Sequence, residues 1–318
     1  MTDPSVFSLP YKDSCLRACF LSCGKTPRAV LLYLHGGGFT FGSCRDLPGP
    51  YRQMFAAAAY DLILLEYPLA PESGLSQILQ AVHALVSAVL TSPKCFGYPE
   101  FPPYLLFGRS AGGYLACMET ARLCKEAELL PDPVPACASP LPRPAALLCF
   151  YSYHSMALPE FMRPAPAYQK LPPVSEETVR ALTGTGLLTE GPLQTRYSLY
   201  VYGRQTGRWP ALLGLDGPEA ADLSLQEEDF ARMPPGFFTA SSGDCDVPFR
   251  ESKQMAKKIP GSCFHPVYYL PHDFDRDLAD PTGAEVYRAA IDWLDAQFAY
   301  PAEAGAGALT DPGEMSHA

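Results

Sequence analysis

The sequence predicts an α/β fold in which helices cover both faces of a mostly parallel sheet. Short aliphatic runs alternate along the chain with amphipathic segments of helix length, which is typical of such folds. Glycine-rich turns follow two of those runs, at residues 35–38 and 108–113. Of the 318 residues, 47% are hydrophobic and 18% are charged, a globular composition that excludes disorder over most of the length.

The first half of the chain alternates between strand and helix patterns. Aliphatic or alternating runs predict strands at residues 5–9, 16–22, 29–34, 61–67, 104–107 and 145–151. Apolar residues at helical spacing predict helices at residues 51–60, 76–90 and 112–128. The proline-dense segment 131–144 is interpreted as a stiff connector.

The alternation is interrupted and then resumes. Strands are predicted at 236–240 and 264–270, and helices at 249–258 and 283–298. Residues 152–233 instead contain aromatic and proline clusters with helices near 175–182 and 193–202, so we interpret them as an inserted cap or lid. The core then comprises residues 1–151 and 234–300, and the small, polar residues 301–318 are predicted to be a disordered tail.

Composition also excludes several classes of protein. The 34 prolines exclude a helical bundle, because interior proline breaks helical hydrogen bonds. A net charge of −10 disfavours a nucleic-acid partner. No run of apolar residues is long enough for a membrane span, and residues 1–10 do not resemble a signal peptide. We therefore expect a cytoplasmic protein.

The 11 cysteines are scattered and odd in number, which does not resemble a disulfide framework. Cys15, Cys19 and Cys23 are evenly spaced. No histidine lies near them, and structural zinc sites usually take four ligands in short pairs, so no metal site is predicted there. No cofactor is expected.

Gly108-Arg109-Ser110-Ala111-Gly112 lies between a predicted strand and a predicted helix, which is the context of a nucleophile elbow. The sharp turn projects the serine hydroxyl above the sheet. Flanking glycines are needed because a Cβ would collide with the neighbouring strand and helix. The motif alone is short, and an ordinary strand-to-helix turn explains it about equally well.

His35-Gly36-Gly37-Gly38 follows the predicted strand 29–34 and favours the catalytic interpretation. In esterases such a loop supplies backbone N–H donors for the oxyanion formed during acyl transfer. Glycine permits unusual dihedral angles and close approach of a substrate to the backbone. His35 itself is interpreted as a residue that fixes the loop.

A serine hydroxyl needs a base to take its proton. Six histidines are available: His35, His83, His154, His265, His272 and His317. His272 follows a predicted strand at its carboxyl end, where open α/β sheets bind ligands, so it is predicted to be the general base and later the general acid. His154 is the alternative.

The third member should be an acid between the serine and the histidine. Asp244 and Asp246 both follow the predicted strand 236–240, and either could orient His272. One of them could instead cap the helix at 249–258. The acids that follow His272 are interpreted as capping or solvated groups: Asp273, Asp275 and Asp277.

These residues resemble the hormone-sensitive-lipase-like esterases of the α/β-hydrolase superfamily. The resemblance rests on the two glycine motifs, on Tyr67-Pro68-Leu69-Ala70-Pro71-Glu72 and on the regions of Asp246 and His272, and it covers about residues 29–298 apart from the insertion. It implies an α/β-hydrolase fold with an inserted lid. In that family the triad acid directly precedes a short Pro/Leu segment, as Asp246 precedes Val247-Pro248.

The resemblance therefore implies a triad of Ser110, Asp246 and His272, with oxyanion donors at Gly37, Gly38 and Ala111. The chain departs from the family at Arg109, where an acid is common, at Pro68, where arginine is usual, and at Asp273, where glycine is common. The N-terminal cap helices of many members are also missing. These departures affect the pockets and leave the triad intact.

The function predicted is that of a serine carboxylesterase acting on short-chain acyl esters, with acetyl and aromatic esters as candidates. Its partner is a small-molecule ester. A peptidase, lactonase or acyltransferase could use the same triad, and a non-enzymatic binding protein could share the fold. The aromatic residues of the insertion are interpreted mainly as its own small core, and secondarily as a stacking surface for substrates: Tyr151, Tyr153, Phe161, Tyr168, Tyr197, Tyr200, Tyr202 and Trp209.

Overall fold

A computed structural model describes residues 5–12, 14–129, 141–215 and 223–298 of the chain. In these ranges eight strands form one sheet in the order β1-β2-β4-β3-β5-β6-β7-β8. They are β1 (Ser5–Tyr11), β2 (Ser14–Leu21), β3 (Ala29–Leu34), β4 (Tyr60–Leu65), β5 (Tyr104–Arg109), β6 (Ala146–Phe150), β7 (Gly236–Ser241) and β8 (Cys263–Val267). The pairs β1–β2 and β2–β4 are antiparallel, and the other five are parallel. The predicted α/β fold with a mostly parallel sheet is confirmed.

The helices of the described residues fall into two groups. The first group packs on the two faces of the sheet: α1 (Gly49–Ala57), α2 (Leu75–Leu90), α3 (Ala111–Glu128), α9 (Phe249–Lys258) and α10 (Pro281–Gln297), the last of which follows β8. The second group lies between β6 and β7, inside the predicted insertion 152–233: α4 (Pro166–Gln169), α5 (Glu176–Leu182), α6 (Leu193–Thr206), α7 (Trp209–Leu212) and α8 (Glu227–Arg232). That the insertion forms a separate cap stays a prediction.

Strand alternation divides the interior into two cores, one on each face of the sheet. Along β3, Val30, Leu32 and Leu34 pack into one core with the apolar faces of α2 and α3. The intervening residues, including Leu31 and Tyr33, pack into the other core with α1 and α10. All six residues of β3 are buried because both faces are covered, which explains its uninterrupted aliphatic sequence.

One predicted strand is too long, and the difference shapes the site. The strand expected at 264–270 ends at Val267, after which Tyr269 is 90% exposed and has a positive φ of 63°. Ser241 holds the returning chain, donating a hydrogen bond from Oγ to the Leu270 carbonyl at 2.6 Å and accepting one from the Leu270 N–H at 3.0 Å. This turn carries the next residues, including His272, back over the carboxyl edge of the sheet.

Within the described ranges, no helix combines the length and apolarity that crossing a membrane requires. The predicted disordered tail at 301–318 and most of the proline-dense connector lie outside the described residues.

Candidate active site

Ser110 lies on the turn between β5 and α3 in a backbone conformation that few L-residues adopt. Its φ is 52° and its ψ is −119°. Such strain persists only where the surroundings impose it, and it concentrates at functional sites. A Cβ at Gly108 would lie 2.1 Å from the Gly112 carbonyl oxygen, and a Cβ at Gly112 would lie 2.1 Å from that of Leu34. The packing therefore requires both flanking glycines, as the sequence indicated.

The glycine loop after β3 lies beside Ser110 and is held in place by His35. Both Gly37 and Gly38 have positive φ, 100° and 55°. The ring of His35 is fully buried and stacks on Tyr67, and its Nδ1 donates to the Gly36 carbonyl at 2.7 Å. The hydroxyl of Tyr67 donates to the carbonyl of His35 at 2.8 Å. His35 thus fixes the loop, in agreement with the sequence prediction.

A cleft of about 270 Å³ opens above this turn, with Ser110, His272, Gly37 and Gly38 in its wall. In the part of the chain that the structure describes, the N–H groups of Gly37 and Gly38 donate to no protein acceptor. Ala111, the third predicted donor, is fully buried at the first position of α3, where amide groups have no partner within the helix. Gly37 and Gly38 therefore share the cleft with Ser110, and Ala111 directly follows it, while the oxyanion role of the three residues stays a prediction.

His272 lies against Ser110, as predicted. Its Nε2 is 2.8 Å from the Ser110 Oγ, and its Nδ1 is 2.6 Å from Oδ2 of Asp244. Burial lowers the pKa of His272, but the carboxylate of Asp244, followed by those of Asp246 and Asp273, outweighs burial and raises the pKa to about 9.

The acid in contact with His272 is Asp244, so the choice of Asp246 is corrected. The Asp244 carboxylate is completely buried, and its Oδ1 accepts the N–H groups of Asp246 at 2.7 Å and Val247 at 2.9 Å. This turn leaves Oδ2 for the histidine and directs Asp246 toward the cleft, where its Oδ1 accepts the Tyr200 hydroxyl at 3.3 Å. Neither aspartate caps α9.

Arg109 and Asp275 form a buried ion pair that joins the serine turn to the histidine loop. The Arg109 Nη2 lies 2.8 Å from the Asp275 Oδ1, and the two side chains are 5% and 0% exposed. Tyr151 accepts a hydrogen bond from Arg109 at 2.7 Å and donates one to Asp275 at 2.8 Å, while Tyr287 donates to the other carboxylate oxygen. The interpretation of Asp275 as a capping or solvated acid was wrong. The buried carboxylate of Asp275 balances the charge of Arg109, the unusual arginine beside the serine.

The insertion is anchored to the glycine loop. Trp209 donates from Nε1 to the Gly38 carbonyl at 3.1 Å. Arg196 donates to the carbonyls of Thr40 and Ala70, at 2.7 and 2.6 Å, and forms a two-pronged ion pair with Glu72. Most aromatic side chains of the insertion are buried, as expected for a small core, but three also line the cleft: Tyr168, Tyr197 and Tyr200.

The other histidines with acidic partners lie in different surroundings. His154, the alternative base, contacts Glu251 through Nδ1 at 3.0 Å. His83 lies between Ser87, 3.4 Å from its Nε2, and Glu119, 3.0 Å from its Nδ1. Sequence reasoning missed this second serine–histidine–acid arrangement. The four-residue spacing of His83 and Ser87 in a helix could have indicated half of it.

The family model described as the alpha/beta hydrolase fold matches residues 31–259, which is more than half of the chain. A structure of an alpha/beta hydrolase superfamily protein from Enterococcus faecalis is 28% identical, with a TM-score of 0.77 over 92% of this chain and 99% of that one. A protein of unknown function from Staphylococcus aureus is 26% identical, with a TM-score of 0.78 over 92% and 98%.

A curated relative from Acinetobacter venetianus, named an esterase, is 24% identical over 133 residues. The matched segment spans 41% of this chain and 41% of that relative.

Proposed function

This chain belongs to the alpha/beta hydrolase fold family, and on that premise we propose that it is a serine carboxylesterase. The observation that carries the proposal is the continuous contact from Ser110 through His272 to Asp244, with distances of 2.8 and 2.6 Å. The name of the Acinetobacter relative supports ester hydrolysis over other reactions of the fold.

In the proposed acylation step, Ser110 attacks the ester carbonyl while neutral His272 takes its proton at Nε2. Asp244 accepts the Nδ1 proton and stabilises the imidazolium that forms. The oxyanion is held by the N–H groups of Gly37, Gly38 and Ala111, and each donor contributes about 3 kcal/mol of transition-state stabilisation. The glycine donors are available for this role because no acceptor among the described residues engages them.

Collapse of the tetrahedral intermediate expels the alcohol, which His272 protonates, and leaves the acyl group on Ser110. A water molecule then attacks the acyl-enzyme, with His272 acting again as base and proton donor. The second half of the reaction uses the same hydrogen bonds, so one histidine serves both steps.

We further propose that the substrates carry short acyl chains, acetyl to butyryl. The cleft of about 270 Å³ is small, and Tyr168, Tyr197 and Tyr200 of the insertion stand in its wall. The same rings could contact an aromatic alcohol group. Higher kcat/KM on dodecanoyl than on butyryl esters would overturn the short-chain proposal. The cytoplasmic location and the lack of a nucleic-acid partner stay predictions.

A fluorophosphonate probe tests the catalytic proposal against the alternative of a binding protein. We expect one covalent addition, located by peptide mass spectrometry at Ser110, and no addition in the Ser110→Ala variant. That variant should lose about 10⁶-fold in kcat on p-nitrophenyl butyrate.

Ser87→Ala is the matched control, because Ser87 also contacts a histidine paired with an acid. It should label and turn over like the wild type. Equal hydrolysis by wild type and Ser110→Ala would reject the esterase proposal. A panel of peptide and lactone substrates separates the remaining reactions of the fold.

A further inference from the structure

We propose that Cys19, Cys44 and Glu66 form a binding site for one zinc ion behind the glycine loop. Cys19 lies on β2, Cys44 begins the short turn after the loop, and Glu66 directly follows β4. This group is separate from Ser110 and His272, and the proposal does not depend on ester hydrolysis.

Two of the three distances between the donor atoms match a tetrahedral zinc site. The Cys44 Sγ lies 3.8 Å from the Cys19 Sγ and 3.5 Å from the Glu66 Oε1, and all three donors lie within 4.8 Å of one another. Bonds of about 2.3 Å to sulfur and about 2.0 Å to oxygen, at tetrahedral angles, give sulfur–sulfur and sulfur–oxygen edges of about 3.8 and 3.5 Å. Cys44 is therefore already placed to share one ion with Cys19 and Glu66.

Glu66 is a buried carboxylate whose partners are distant. It is 1% exposed, and its ion pair with Arg17 and its contact with Thr189 are long, at 3.5 and 3.4 Å. A buried carboxylate with such distant partners is costly. A divalent cation offsets that cost.

The donor set selects the metal. Two thiols and one carboxylate suit zinc, whereas magnesium and calcium prefer all-oxygen sites. Zinc binding would release the protons that remain on the two thiols.

Residues next to two of the donors line a cleft of about 440 Å³. They are Ser43, which directly precedes Cys44, and Glu190, which lies beside Glu66. A water molecule can supply the fourth ligand.

The ion would tie the glycine loop to the sheet. Cys44 follows Gly42, which pairs with Gly191 of the insertion through two backbone hydrogen bonds of 2.8 and 3.0 Å. Glu66 precedes Tyr67, whose hydroxyl donates to the carbonyl of His35. Because the site joins these segments, its role is structural support of the loop.

The proposal is tested on the full chain, stripped of metal under reducing conditions and titrated with Zn²⁺ against a chromophoric chelator. We expect one zinc per chain and at least tenfold weaker binding in Cys44→Ser and in Glu66→Gln. Zinc should raise the Tm of the wild type and leave the Tm of Cys44→Ser unchanged. Cys15→Ser, on the same strand but outside the cluster, should bind as the wild type does.

Cobalt substitution supplies a second measurement that needs no variant. Co²⁺ should give the thiolate charge-transfer band and the intense visible bands of a tetrahedral site with two sulfur ligands. No zinc uptake, binding that survives Cys44→Ser, or octahedral cobalt spectra would overturn the proposal. A Cys19–Cys44 disulfide in the freshly purified chain, detected by peptide mass, would overturn it equally.

Discussion

Two serine–histidine–acid arrangements in the described part of the chain can be compared, and we propose catalysis at the first of them. Ser110, His272 and Asp244 are joined by contacts of 2.8 and 2.6 Å. Ser87, His83 and Glu119 repeat the chemistry at 3.4 and 3.0 Å. The acid is buried in both, at 0% and 2% exposure, and the histidine is 13% exposed in the first and 20% in the second.

The difference lies in the backbone around each serine. Ser110 has a strained conformation on a turn, at the carboxyl edge of the parallel strands. Beside it lie two glycine N–H groups that donate to no acceptor in the ranges that the structure describes. Ser87 lies in the interior of α2, where the amide groups of neighbouring residues bond within the helix. Both arrangements contain a serine, a histidine and a carboxylic acid, so these residue types alone do not distinguish them. The proposed catalysis at Ser110 depends instead on the oxyanion donors and on the projection of the serine hydroxyl from its turn.

After Ser110→Ala, the largest loss of activity is expected from a substitution of Asp244. Asp244→Asn should lower kcat about 10⁴-fold, because the amide cannot hold His272 in the required tautomer or stabilise its charged form. The matched variant Asp246→Asn removes a carboxylate two residues away that contacts Tyr200 instead of His272. We expect at least a hundredfold smaller loss from it. Steady-state kinetics on p-nitrophenyl butyrate decide, and the opposite ranking would restore Asp246 as the triad acid.

This pair of aspartates also shows where sequence reasoning ends. Ser110 and the glycine loop could be predicted because each follows a fully buried strand, β5 or β3. His272 could be predicted because it follows the last predicted strand and precedes the last predicted helix. Asp244 and Asp246 follow the same strand, and the choice depends on a turn in which one carboxylate bonds the N–H groups of residues 246 and 247. That local hydrogen bonding leaves no signal in the spacing of residues along the sequence. The pattern of the resembling esterase family favoured Asp246, which does not contact His272.

Buried ion pairs between distant segments could not be predicted from the sequence either. Arg109 and Asp275 are 166 residues apart in the chain yet bonded at 2.8 Å. From the sequence, Asp275 was interpreted as a capping or solvated acid and Arg109 only as a departure from the family pattern, and nothing in the spacing related the two. The sheet and its covering helices could be predicted because period-two and period-3.6 patterns record burial directly.

The next largest loss of activity is expected from a substitution in the glycine loop. Gly38→Ala should lower kcat about 10²–10³-fold, the loss expected for one oxyanion donor. The new Cβ would lie 2.4 Å from the Tyr200 ring, and the φ of 55° is strained for alanine, so the N–H group must rotate or the ring must move. Gly97→Ala is the control, because Gly97 also has a positive φ, of 80°, with open space around it. Equal losses in the two variants would argue against the oxyanion role.

The pH profile tests the electrostatics of the first arrangement. Because the pKa of His272 is raised to about 9, kcat/KM should rise about tenfold per pH unit below that value. The pKa lies above the ordinary histidine value of 6.5, so the stability that the protonated ring contributes is complete below pH 6.5 and lost as pH rises through about 9. Asp244→Asn should move the kinetic pKa downward. A flat profile between these two pH values would contradict the assignment.

The smallest effect on activity is expected from the second arrangement. His83→Ala should leave kcat/KM unchanged, because neither Ser87 nor Glu119 contacts the cleft. It should instead cost about 1–3 kcal/mol of unfolding free energy, since the buried Glu119 carboxylate loses its partner. Burial raises the pKa of Glu119, so the carboxyl can take up a proton and moderate that cost at low pH. Urea denaturation measures the unfolding free energy of His83→Ala, and steady-state kinetics measure its kcat/KM. A fall in kcat/KM with unchanged stability would contradict the structural role proposed for the second arrangement.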